Sequence, residues 1–140
     1  MAEKRFTSII AKLRDAELRP TRQRIALAEL MFMNGEDRHV SAEMLHNEAE
    51  QAQISVSLAT VYNTLHQFTQ AGLLREIAVD ADRSYFDTNT SDHHHFYFEG
   101  DGRIEDIPSE DIVVSSLPTP PKGGRISRVD VVVRVREDYL

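Results

Sequence analysis

A chain of 140 residues without cysteine forms one compact domain or two small lobes, and it can hold neither a disulfide nor a thiolate zinc site. No apolar run approaches the roughly 20 residues of a membrane span, and the charged start differs from a signal peptide, so we expect no membrane contact and a cytoplasmic location. The net charge of −7 lies entirely in residues 76–140, which carry seven basic and fourteen acidic side chains. Residues 1–24 carry seven basic and three acidic side chains. A DNA-facing front with an acidic rear fits this asymmetry, as does an ordinary solvated surface.

Four helices are predicted before Gly72. The first covers residues 3–17, where four apolar residues share one helix face: Phe6, Ile9, Ile10 and Leu13. The next three begin after residues that cap helix N-termini well: Thr21, Ser41 and Ser57. In the fourth helix we expect an inward stripe of Leu58, Val61, Leu65 and Phe68. Gly72 then provides the stop.

Strands predominate after Gly72. The predicted strands cover residues 73–79, 84–87, 95–98, 103–107 and 125–136. The first two flank a turn at 80–83, and helices followed by such a hairpin are the plan of a winged helix. A short helix is predicted from Ser109 to Leu117, and the last strand has valines at alternate positions and therefore one buried face. We expect an α+β chain with a winged helix-turn-helix DNA-binding lobe at 1–88 and a small α/β dimerisation lobe at 89–140.

The fourth helix has the chemistry of a DNA-reading helix. Its outward face is polar, and residues 54–72 contain no acid and no lysine. Asn and Gln side chains pair with adenine in the major groove, and small side chains contact thymine methyl groups. An ordinary solvated helix is the alternative, although such a helix usually carries Glu and Lys. The candidate DNA contacts are Arg19, Arg22, Ser57, Ala59, Thr60, Tyr62 and Asn63, with Arg24 as a further candidate for the DNA backbone.

Three consecutive histidines, His93, His94 and His95, begin the second half of the chain. Alternate residues of a strand share a face, so the first and third can bind one ion while His94 points elsewhere. Imidazoles combined with carboxylate oxygens suit Zn, Mn or Fe. We expect a metal or haem site here rather than a structural role. The possible completing ligands are His39, Asp87, Asp92, Asp106 and Glu110.

These motifs together resemble the ferric uptake regulator (Fur) superfamily. The matching segments occur in the family's order within residues 5–107: Leu18–Arg24, His39–Glu43, Ser57–Leu65, Ala71–Leu73, Tyr85–Asp87 and Asp92–His95. The resemblance implies a bacterial transcription regulator without enzymatic activity, a homodimer that binds palindromic AT-rich operators. By position, it places the family's interlobe metal site on His39, Asp87, His93, His95 and Asp106.

Departures from the common pattern point to one branch of that family. The positions of the usual CxxC zinc motif hold Phe98 and Asp101, and the usual Arg after the helix tyrosine is Asn63. Residues 61–65, 85–89 and 93–97 instead resemble the iron response regulator (Irr) branch, which senses haem. This resemblance implies that haem binds at His93, His94 and His95 and lowers the affinity for DNA.

Three interpretations follow from the sequence. The first is a haem-responsive regulator of that branch, and the second is a Fur-type repressor activated by a divalent metal without haem sensing. The third is a metalloenzyme in which His93, His95 and Asp106 form an open site for Fe or Mn. An enzyme leaves the helices of residues 21–72 unexplained, so a regulator is favoured. The first interpretation predicts that haem lowers the affinity for DNA. The second predicts that a divalent ion raises it.

Overall fold

The computed structural model describes residues 2–80 and 83–137, which divide into two compact units between Thr90 and Ser91. The first unit contains α1 (Ala2–Asp15), α2 (Arg22–Phe32), β1 (His39–Val40), α3 (Ala42–Gln51), α4 (Leu58–Gln70), β2 (Arg75–Asp80) and β3 (Arg83–Asp87). The second contains β4 (His93–Phe98), β5 (Ile104–Pro108), a 3₁₀ turn (Ser109–Asp111) and β6 (Val132–Val135). Ala81 and Asp82 of the expected hairpin turn, and the side chain of Phe6, lie outside the described part of the chain.

The predicted caps set the ends of the helices in the first unit. In each case the capping hydroxyl accepts the backbone N–H three residues further on, at 3.1–3.3 Å, for Thr21, Ser41 and Ser57. Gly72 has a φ of +84°, and the N–H of Leu73 donates to the Phe68 carbonyl at 2.9 Å. This left-handed turn ends α4 where the glycine predicted it.

The four helices and the sheet of the first unit enclose one apolar core. Its buried members are Ile9, Leu13, Leu27, Ala28, Met31, Val40, Ala42, Leu45, Ala49, Val61, Leu65, Phe68, Leu74 and Phe86. The expectation that Leu58 points into this core is wrong, because its position in the first turn of α4 leaves it 40% exposed. Thr64 is buried on the inner face of the helix instead.

The sheet of the first unit is antiparallel with the strand order β1-β3-β2. Strand β1 was not predicted, because two residues show no periodicity. In this sheet Asp87 lies opposite His39 of β1 on one side and opposite Arg75 of β2 on the other. The central strand therefore places a carboxylate between two basic side chains.

The sheet of the second unit has the strand order β5-β4-β6, with β4 antiparallel to β5 and parallel to β6. The predicted helix from Ser109 to Leu117 is wrong beyond the 3₁₀ turn of Ser109–Asp111. Ile112 has extended backbone, and Val113 is 84% exposed. Neighbouring β-branched residues disfavour a helix, and no apolar face is buried here to offset that preference.

The prediction of a long C-terminal strand at residues 125–136 is also wrong in the extent and the burial of the strand. Only Val132–Val135 pairs with β4, within the described residues, and Val133 is 37% exposed. Alternating valines predict a buried face only where another layer covers them. Among the described residues of this unit β6 pairs with β4 alone, so it is an edge strand.

The expected α+β class is confirmed. Helices α2, α3 and α4 and the β2–β3 hairpin form a winged helix-turn-helix. The small three-stranded sheet of the second unit follows in the chain. No helix in residues 2–80 or 83–137 has both the length and the apolar character needed to cross a bilayer.

Candidate metal centre and nucleic-acid interface

The N-terminal half of α4 presents an uncharged surface of mixed polar and apolar side chains. Ala59 and Asn63 are exposed, Tyr62 is 41% exposed, and Thr60 is half-buried. The Ser57 hydroxyl accepts the Thr60 backbone N–H at 3.1 Å and donates to its side-chain oxygen at 2.9 Å. Both hydrogen bonds lie within the first turn of α4 and hold its N-terminal cap in place.

The three arginines that precede and begin α2 differ in their surroundings. Arg19 and Arg22 are exposed. Arg24 instead donates through Nε and Nη2 to Gln67 Oε1, at 3.2 and 3.0 Å, and through Nη1 to the Arg19 carbonyl at 3.0 Å. Sequence reasoning missed this link between α2 and α4, because residues 43 apart in the chain carry no local signal. Arg24 is therefore bonded to α4, although it remains half-buried at the surface of the unit.

Tyr62 belongs to a group of three aromatic rings that sequence reasoning also missed. Its ring lies 4.8 Å from His66 and 6.3 Å from Phe86, measured between centroids, and His66 lies 5.6 Å from Phe86. The i,i+4 spacing of Tyr62 and His66 on a helix could have predicted the first contact. Contact with Phe86 depends on the packing of α4 against the sheet, which the sequence pattern does not specify.

The first unit pairs two of the predicted metal ligands. His39 Nε2 lies 3.2 Å from Oδ2 of Asp87, whose side chain is fully buried. The other carboxylate oxygen, Oδ1, accepts the Asn89 backbone N–H at 2.8 Å. A buried carboxylate held in this way leaves one oxygen directed toward the imidazole and suited to share a cation with it.

The second unit assembles the other three predicted ligands. Nε2 of His93 and Nε2 of His95 lie 3.2 and 3.4 Å from the same oxygen, Oδ1 of Asp106. Both imidazoles are buried, with ring centroids 4.4 Å apart, whereas the Asp106 side chain is 33% exposed. Alternation along β4 and the pairing of His95 opposite Asp106 on β5 produce this arrangement.

The hydrogen bond of His93 favours a tautomer that can bind metal. Its Nδ1 lies 2.6 Å from the Ser91 carbonyl oxygen. Since a carbonyl oxygen only accepts, Nδ1 carries the hydrogen, and the lone pair of a neutral imidazole is on Nε2. Metal-bound histidines usually have such a partner on the other ring nitrogen.

The donor set fits a divalent transition-metal ion. Bonds of about 2.1 Å around an ion hold neighbouring ligand atoms roughly 3.0–3.4 Å apart. The nitrogen–oxygen separations in both groups are 3.2–3.4 Å. Two imidazoles and a carboxylate are typical of Zn, Mn or Fe sites, and the chain has no cysteine that would favour a thiolate site.

His94 lies apart from this group, as strand alternation predicted. It is half-buried, and its Nδ1 accepts the backbone N–H of Val131 at 3.0 Å. The bond leaves Nε2 as the nitrogen available for a ligand. A single iron bound by both His93 and His95 would therefore not be bound by His94.

Comparisons with known proteins agree on one family. The profile of the ferric uptake regulator family matches residues 15–128. A ferric uptake regulation protein of Cupriavidus metallidurans is 35% identical over 103 residues, which are 73% of this chain and 71% of that protein. The peroxide-responsive repressor PerR of Staphylococcus aureus is 34% identical over 98 residues. That match covers 70% of this chain and 65% of PerR, slightly under two thirds of its length.

Solved structures share the fold. The ferric uptake regulator of Pseudomonas aeruginosa, determined with manganese, superposes with a TM-score of 0.68 at 26% identity, covering 92% of this chain and 97% of that one. The Vibrio cholerae ferric uptake regulator gives a TM-score of 0.69 at 20% identity, covering 91% and 98%. The second likeness supports the fold alone.

Replacing Arg24 with Met should destabilise the first unit. The change keeps most of the apolar stem but leaves Gln67 Oε1 and the Arg19 carbonyl without their donor. We expect the free energy of unfolding to fall by about 1 kcal/mol. Urea unfolding followed by circular dichroism measures the change. Arg22→Met is the matched control, since this neighbouring arginine is exposed, and a similar loss in both variants would contradict a bridging role for Arg24.

Proposed function

We propose that this chain, which belongs to the ferric uptake regulator family of metal-responsive transcriptional regulators, binds operator DNA as a homodimer when loaded with a divalent metal ion. The observation that carries the proposal is the shared oxygen of Asp106, with two imidazole nitrogens at 3.2 and 3.4 Å. Two buried imidazoles beside a carboxylate give a cation a ready set of donors.

We further propose that one ion takes its ligands from both groups: His39, Asp87, His93, His95 and Asp106. Only five residues separate Asp87 from His93, so the connecting chain can span no more than about 20 Å. This length is compatible with a common ion. Mn, Fe and Zn are the candidates, and the bound ion would supply positive charge that neutralises the two carboxylates.

The DNA would be read by α4 in the major groove. Tyr62 and Asn63 are placed to reach base edges, and Ala59 to contact a thymine methyl group. Thr60, Arg19 and Arg22 would contact phosphates, whereas Ser57 acts through the cap of α4. A homodimer would present two such helices to successive half-sites of a palindrome in double-stranded DNA.

The metal-loaded form is proposed as the DNA-binding form. His39 and Asp87 belong to strands of the winged helix itself, so an ion there joins β1 to β3 within the DNA-binding unit. An ion shifts the equilibrium between the arrangement that binds DNA and the one that does not only if it binds the two with different affinity. An ion that holds β1 against β3 would favour the arrangement that binds DNA.

A haem-responsive regulator of the Irr branch is the second candidate. Asn63 and the absence of the CxxC motif favour it, and the direction of His94 away from His93 and His95 would allow haem iron and a divalent ion to bind separately. Haem would then lower operator affinity. The proposal of no enzymatic activity applies to both candidates.

Fluorescence anisotropy with labelled, palindromic AT-rich DNA tests the proposal. We expect added Mn(II) to tighten binding by about 5- to 150-fold, the usual range of allosteric coupling. If haem weakens the Mn(II)-loaded complex in wild type but not in His94→Ala, the second candidate is supported. Equal affinity of the apo and Mn(II)-loaded proteins would contradict metal activation.

Changing Asp106 to Asn should weaken Mn(II) binding by at least about tenfold, since even the loss of a group behind the ligands typically costs that much. The Asn amide is uncharged, and it offers the ion one oxygen in place of a carboxylate. Isothermal titration calorimetry measures the affinity. Glu105→Gln provides the control, because Glu105 is exposed and pairs with Arg103 at 3.5 Å. Unchanged affinity in Asp106→Asn would remove Asp106 from the ligand set.

Changing Asn63 to Arg should alter base preference. Asn pairs with adenine, whereas Arg pairs with guanine, and each bidentate contact gives about 1–3 kcal/mol of discrimination. Competition with operators that differ at single base pairs locates the change. Gln70→Arg adds the same charge at the exposed C-terminal end of α4. An identical change of preference in both variants would show a charge effect and would exclude Asn63 from base reading.

A further inference from the structure

We infer that Phe86 couples the metal-ligand strand β3 to Tyr62 on α4, so that an ion held by His39 and Asp87 sets the position of the DNA-reading tyrosine. The inference rests on the proposed function, which supplies the ion and the DNA. It assigns a role in regulation to a buried core residue that is not itself a proposed DNA contact. It uses only contacts within the first unit.

Successive residues of β3 point to opposite faces of the sheet. Asp87 shares one face with its cross-strand partners His39 and Arg75. Phe86 shares the other face with its partners Val40 and Glu76. A metal ligand and a core aromatic residue are therefore joined by a single peptide bond, and they project to opposite sides of the sheet.

The inner face carries an aromatic cluster formed by Tyr62, His66 and Phe86. The Phe86 ring is fully buried and meets both of the others edge to face, at interplanar angles of 87° to Tyr62 and 90° to His66. His66 Nδ1 lies 3.7 Å from Glu76 Oε1 on β2. Edge-to-face contacts depend on orientation, so a displacement of Phe86 changes the preferred position of the tyrosine ring.

An ion bound by His39 and Asp87 would also hold strands β1 and β3 together. Strand β1 pairs with β3 at two residues, His39 and Val40, and next to them the Arg38 carbonyl accepts the Thr88 N–H at 3.0 Å. An ion that joins His39 to Asp87 adds a cross-link to this short pairing and holds β3 against β1. Because protein interiors are close-packed, a change in β3 passes to the ring that Phe86 contacts. Tyr62 is 41% exposed, so its ring packs on the cluster while part of it remains accessible to DNA.

The first test is Phe86→Leu, which keeps a buried apolar side chain but removes the ring. Operator affinity is measured without metal and with Mn(II) at a concentration that saturates each variant, and the ratio of the two dissociation constants gives the coupling. We expect the ratio to fall by about 2- to 10-fold, the size expected from losing an aromatic pair. Phe68→Leu is the matched control. Phe68 is also fully buried, but its ring faces Phe32 at 6.4 Å, and its loss should leave the ratio unchanged.

A second variant, His66→Gln, tests the inference if Phe86→Leu fails to fold. The His66 side chain is 40% exposed, so His66→Gln removes a ring of the aromatic cluster with little cost to the core. Its coupling ratio should also fall. His46→Gln is the control, since His46 is a half-buried histidine of α3 that bonds to the Val56 carbonyl at 3.1 Å.

A readout without DNA separates regulation from simple packing. Zn(II) added to the free protein should shift the NMR signals of the His66 imidazole, although His66 is not a proposed ligand. The shift should disappear in Phe86→Leu and persist in Phe68→Leu. Zn(II) is added at a concentration that saturates each variant, so a weaker affinity for the ion does not by itself remove the signal.

The outcomes distinguish this inference from the function on which it rests. If wild-type protein binds DNA equally with and without Mn(II), the proposed function fails, and the inference fails with it. If wild type responds to Mn(II) and both Phe86→Leu and His66→Gln keep the full ratio, only the inference is overturned. A reduced ratio in these two variants, with both controls unchanged, supports it.

Discussion

The alternation of side chains along β3 is the constraint on which the first unit depends. One residue of the strand, Phe86, completes the apolar core beneath α4, and the next, Asp87, presents a buried carboxylate on the opposite face. Neither position can shift by one residue without exchanging a charge for a ring in the core. Core packing therefore fixes the position of Asp87, the proposed metal ligand. The stability of the unit and the proposed binding of the ion depend on the same register.

The second unit uses the same principle with another pair of strands. The register that sets His95 opposite Asp106 also brings His93, two residues earlier on β4, to the same face. In both units a histidine and an aspartate meet across antiparallel neighbours. Such pairs are held by backbone hydrogen bonds, which keep the donor atoms in place without a bound ion. This pre-arrangement reduces the conformational entropy that the donors lose when they bind a cation.

Local signals made much of the fold predictable, and tertiary packing decided the rest. Caps at Thr21, Ser41 and Ser57 and the turn at Gly72 gave the helix ends, because these residues act on their own backbone. The three histidines on β4 followed the expected alternation. The link from Arg24 to α4 and the contact of Phe86 with Tyr62 join distant segments, so no sequence spacing encodes them. The alternating valines of the last strand predicted a buried face, which needs a covering layer, but Val133 is 37% exposed among the described residues.

The most direct test of metal control is the affinity for Mn(II) itself, measured by calorimetry with and without bound operator. Coupling between two sites is reciprocal, so DNA must tighten Mn(II) binding by the same factor by which Mn(II) tightens DNA binding. We expect the tightening of Mn(II) binding by DNA and the tightening of DNA binding by Mn(II) to be equal in size and well above onefold. Mn(II) affinity that is the same in the free protein and in the DNA complex would contradict it.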